Sequence, residues 1–89
     1  MDISARLKRL RADVAVAEEQ LRFLEEEADE ARLRALVSET PIADAESSDA
    51  RRHADAHARY RDDLQRSIAD LLREQDSLLD RMAAYLPST

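Results

Sequence analysis

Eighty-nine residues, 38% of them charged and three of them aromatic, form one small domain below the size at which a chain buries a comfortable core. The absence of glycine and cysteine removes glycine-rich phosphate cradles, disulfides and thiolate metal sites. A net charge of −6 weighs against nucleic acid as a direct partner, and a mixture rich in Ala, Leu, Arg, Glu and Asp predicts an all-α fold.

The opening stretch, MDISARLKRLR, lacks the apolar core of a secretory leader, and no later run approaches bilayer-spanning length. A cytoplasmic protein with no membrane contact is the expectation. The first predicted helix covers residues 2–37, with Asp2 or Ser4 as its N-cap. Ile3, Leu7, Leu10, Val14, Ala17, Leu21, Leu24, Ala28, Ala31 and Ala35 alternate steps of three and four, which is a heptad seam.

SETPIADAESSD, residues 38 to 49, follows. It holds Glu39, Asp44, Glu46, Asp49 and Pro41, and no base. The reading is an acidic loop over 38–47, although Thr40-Pro41 also offers an earlier helix start. A second helix over 48–86 takes Ser47 or Ser48 as its cap, and Pro87 ends it. Its seam runs through Ala50, Ala54, His57, Arg61, Leu64, Ile68, Leu71, Gln75, Leu78, Met82 and Tyr85. Residues 1–89 thus read as a single helical-hairpin domain.

Helices of similar length joined by a short connection predict an antiparallel two-helix coiled-coil hairpin. Pairing positions whose numbers sum to about 85 or 86 sets Leu21 by Leu64, Val14 by Leu71 and Leu7 by Leu78. It also sets Glu25 to Glu27, Asp29 and Glu30 toward Arg51, Arg52, Arg59 and Arg61, while Arg6, Lys8, Arg9 and Arg11 approach Glu74, Asp76 and Asp80. Leu72, Leu79 and Leu86 widen the apolar face beyond a two-helix seam. A homodimer forming a four-helix bundle is therefore expected, with Leu71, Leu72, Leu78, Leu79, Met82 and Leu86 at its interface.

No nucleophile elbow, HExxH or other catalytic pattern occurs, and paired carboxylates on a helix surface are ordinarily a solvated face. The expectation is a non-enzyme without cofactor or small-molecule substrate. His53 and His57, one helical turn apart in HADAH, could share a metal ion, with Asp49, Asp29 and Glu30 as neighbours in the expected register. Two ligands at this spacing recur by chance on helices, and packing of His57 opposite Ala28 explains it as well. No metal site is assigned.

The connection carries most of the surplus negative charge. Leu33, Leu36 and Val37 just before it, and Ile42 within it, fall outside both seams. Acids ringing apolar side chains suit docking on a protein with a basic surface. The predicted protein-binding residues are Leu33, Leu36, Val37, Glu39, Ile42, Asp44, Glu46 and Asp49. Alternatively, the acids serve the following helix N-terminus and keep the tip soluble.

DAESSDARR, Asp44 to Arg52, resembles the coiled-coil tip of bacterial Gre-type transcript-cleavage factors through Ala45, Glu46, Ala50 and Arg51. In that family an acidic hairpin tip enters the secondary channel of RNA polymerase. The resemblance implies an alternative role as a secondary-channel regulator. It implies no cleavage, because the family's tip acids fall on Thr40 and Ala43, and the globular domain that follows the coil is missing.

Overall fold

A computed structural model describes residues 2–86, which form two helices and one sharp turn: α1, Ile3–Ser38, and α2, Pro41–Tyr85. The hairpin is a rod with extents of 75 × 20 × 15 Å. None of its helices is long and apolar enough to cross a membrane. The expected end signal at Pro87 lies outside the described residues, and α2 gives way to extended backbone at Leu86.

The helix starts are set by side chains. Asp2 accepts a hydrogen bond from the Ser4 amide at 3.0 Å, which selects it over Ser4 as the α1 cap. At the other end Glu39 takes a left-handed conformation, φ 52°, and its N–H donates to the Ala35 carbonyl at 3.0 Å. In a chain without glycine, a non-glycine residue bears this αL position, at about 1 kcal/mol or more.

The connection differs from the expected loop over 38–47. Only Glu39 and Thr40 lie between the helices, and α2 begins at Pro41 rather than at 48. Thr40 caps it, its hydroxyl accepting from the Ala43 amide at 3.2 Å, with Pro41 in the first turn, where its missing N–H costs nothing. Asp44 stands in that first turn, where a carboxylate favours the helix dipole. The acids of this stretch thus largely belong to a helix.

A two-residue turn changes the register. Residues whose numbers sum to about 80 now lie level: Leu10 lines a groove with Leu71, Ala31 with Ala50, and Ala28 with Arg51. The register expected at 85 or 86 is not formed. The α1 seam is nevertheless the one predicted: all ten of its positions are buried or half-buried. On α2 the covered positions run from Ala43 and Ser47 to Gln75. Leu71 is 5% exposed, so it belongs to the hairpin core and is not free for the dimer interface expected of it.

The expected cross-helix charge ladder is also replaced. Among the described residues every ion pair lies within α2: Arg51–Asp55 at 3.5 Å, Arg61–Asp62 at 2.8 Å, Arg66–Asp63 at 2.6 Å, and the Arg52–Asp49 and Arg73–Asp70 pairs. Three of these place the acid three residues before the base, the favourable order on a helix, each worth a few tenths of a kcal/mol. Gln65 reaches Glu18 across the hairpin at 3.5 Å. Register therefore rests on apolar packing and the turn.

Candidate functional site

The buried set is small: Leu7, Leu21 and Leu71, with the alanines 17, 28, 31, 35, 43 and 54. Alanine dominates toward the turn, where a thin seam lets the helices approach closely. Such a seam leaves larger apolar side chains outside it: most gather at the two ends of the rod, with Val16, Phe23 and Tyr60 exposed between them.

The first is the tip. Leu33, Leu36, Val37 and Ile42 are 62%, 63%, 86% and 73% exposed. Leu33, Leu36 and Val37 sit at i, i+3 and i+4 on the last turns of α1, and Ile42 follows on the first turn of α2. Leu33 and Leu36 line a shallow groove with Asp29 and Arg32. Together the four expose roughly 500 Å² of apolar surface, the size of the largest patch on a typical monomer.

The tip acids divide. Asp49 is held by Arg52, one turn on, and Glu46 lines a groove with Glu27, Glu30 and Arg34. Glu39, Asp44 and Glu46 enter no ion pair among the described residues. Two elements thus place three carboxylates outside any ion pair and four exposed aliphatic side chains around one turn. Chemically, the arrangement can attract cations at range and bury apolar groups at contact.

The second gathering is the far end of α2. Leu72, Leu78, Leu79, Met82, Tyr85 and Leu86 are 37% to 87% exposed. Five of the six residues expected at a dimer interface fall in this set; Leu71 alone is withdrawn into the core.

A third feature is a side groove of about 620 Å³ between the helices, lined by Val16, Glu19, Gln20, Phe23, Leu24, His53 and His57. The shorter turn sets the histidines beside this part of α1 and not beside Asp29 and Glu30. No cluster of three or more potential metal ligands forms among the described residues. Nε2 of His57 is buried without a hydrogen-bond partner, and its ring lies 5.6 Å from that of Tyr60, centroid to centroid.

Ala43 and Ser47, which sequence reasoning left in the loop, are seam residues. They stand seven and three positions before Ala50, so the same three-four stepping reaches them. The residues that carry the Gre-type resemblance lie along the first turns of α2, with the turn itself at Glu39 and Thr40. The two positions matching that family's tip acids hold a helix cap, Thr40, and a buried alanine, Ala43. No protein-family model, curated protein or solved structure matches the chain.

Proposed function

We propose that this protein is a non-enzymatic, cytoplasmic interaction module, a small coiled-coil adaptor or regulator that docks by its acidic, apolar tip on a basic protein surface. The observation that carries this reading is the juxtaposition at the turn of unpaired Glu39, Asp44 and Glu46 with exposed Leu33, Leu36, Val37 and Ile42. Carboxylates would steer the encounter, and the aliphatic residues would supply most of the contact energy. Its working form in this proposal is a homodimer joined at the end remote from the tip.

The test is a triple variant, Glu39→Gln, Asp44→Asn and Glu46→Gln, used as bait in its native cytosol beside the wild type. Asp49 is left intact because it holds Arg52. The variant keeps its helicity, since none of the three side chains enters the seam, and loses the partner; the wild-type complex weakens as salt is raised. Capture of RNA polymerase by the wild type alone would favour the secondary-channel alternative. Retention of every partner by the variant would overturn the tip assignment.

A further inference from the structure

Both helices start level at a two-residue turn, yet α1 has 36 residues and α2 has 45. The nine extra residues carry α2 about 13 Å past the first turn of α1, where neither described helix covers it. The heptad stepping does not stop there. It continues through Leu78, Met82 and Tyr85, while Leu72, Leu79 and Leu86 follow the seam residues Leu71, Leu78 and Tyr85 one position behind. Leu78, Leu79, Met82, Tyr85 and Leu86 leave roughly 600 Å² of apolar surface at this end, the upper limit of what a typical monomer exposes in one patch.

We infer that the overhang is a cohesive end whose occupant is the overhang of a second copy, paired antiparallel about a two-fold axis near Met82. Overhangs of equal length then overlap completely. Leu78 and Leu79 of each chain meet Leu86 of the other, and the two Met82 side chains meet on the axis. The seam of α2, covered by α1 as far as Gln75, continues without a break against the second copy. Covering both patches fully would bury on the order of 1,200 Å², the lower edge of the range of stable specific interfaces.

A side-by-side four-helix bundle would have to cover α2 along its length as well, and among the described residues the one large apolar side chain exposed on α2 between Ile42 and Leu72 is Tyr60, with Val16 and Phe23 exposed on α1. The inference specifies the homodimer of the proposed function and is independent of the tip.

Sedimentation equilibrium with small-angle scattering on pure protein tests it, and a failure there leaves the tip pull-down untouched. The expected particle is a dimer about 135 Å long, against the 75 Å of one hairpin. Leu79→Glu should weaken the dimer by about tenfold or more while the hairpin keeps its helicity. Met82→Cys, the only cysteine in such a chain, should crosslink copy to copy on oxidation, and Val37→Cys should not. A wild type that stays monomeric at about 100 μM, a concentration that populates even weak dimers, overturns the inference. A dimer no longer than 75 Å, the signature of the side-by-side bundle, does so as well.

Discussion

Leu71→Ala probes the hairpin seam most directly. Leu71 is 5% exposed and is one of three buried leucines in a core otherwise made of alanine, so each leucine carries an unusual share of the apolar burial. Removing three carbons at about 0.8 kcal/mol each gives a transfer loss of about 2.4 kcal/mol. A sealed core would add a cavity cost, but Leu71 borders an open groove shared with Arg6, Arg9 and Leu10. Water or the arginine stems can fill the space, which holds the total to about 2 to 3 kcal/mol, the low end for buried leucine truncation. Urea unfolding followed by far-UV circular dichroism measures it. The companion variant is Leu79→Ala, at a position 55% exposed in the single hairpin. The Leu71→Ala loss should be independent of protein concentration. The Leu79→Ala loss should be small in dilute solution and grow with concentration, because it acts through dimer binding to the folded state. A Leu71→Ala loss below about 1 kcal/mol, the size of an ordinary surface substitution, would refute the burial argument.

Two predictions concern the turn and two the side groove. Thr40→Ala removes the cap on Ala43 and should cost about 1 kcal/mol in urea unfolding, while Glu39→Gly should gain up to about 1 kcal/mol by relieving the left-handed residue. His57→Leu should raise stability by about 1 kcal/mol, because it removes a buried ring nitrogen without a partner; zinc should leave the wild-type melting temperature unchanged, and a zinc-induced rise abolished by His57→Ala would show a metal site instead.

Periodicity made the helices legible and left the turn ambiguous. All ten α1 positions chosen on three-four stepping are buried or half-buried in the structure. The acids at 44, 46 and 49 read equally as a solvated loop or as the favourable start of a helix, and Thr40-Pro41 decided for the helix. Register was lost with the turn. Near the tip the seam is alanine on both helices, so sliding one past the other by a few residues still sets alanine against alanine. Charges could not correct this, since Arg51, Arg52, Arg61, Arg66 and Arg73 pair with aspartates on their own helix. The exposed set at the tip survived the error because Leu33, Leu36 and Val37 lie outside the α1 seam in any register.

The two ends of the rod have a joint consequence that can be measured. If cohesive ends join two hairpins, the acidic tips point away from each other about 135 Å apart, and both can dock only on a surface that presents the partner densely. Free partner in solution sees two independent tips, so dimerisation leaves that affinity unchanged. Immobilised at high density, the partner meets the second tip at an effective concentration set by the rod, and the gain over a single tip can reach about a hundredfold. The comparison is between wild type and Leu79→Glu, which share an intact tip. Binding to sparse partner should be the same for both proteins, and dissociation from dense partner should be much slower for the wild type. Equal dissociation at every density, in a wild type already shown to be a long dimer, would mean that the tips do not act together. Slower wild-type dissociation with identical solution affinity is the outcome that ties overhang and tip into one working molecule.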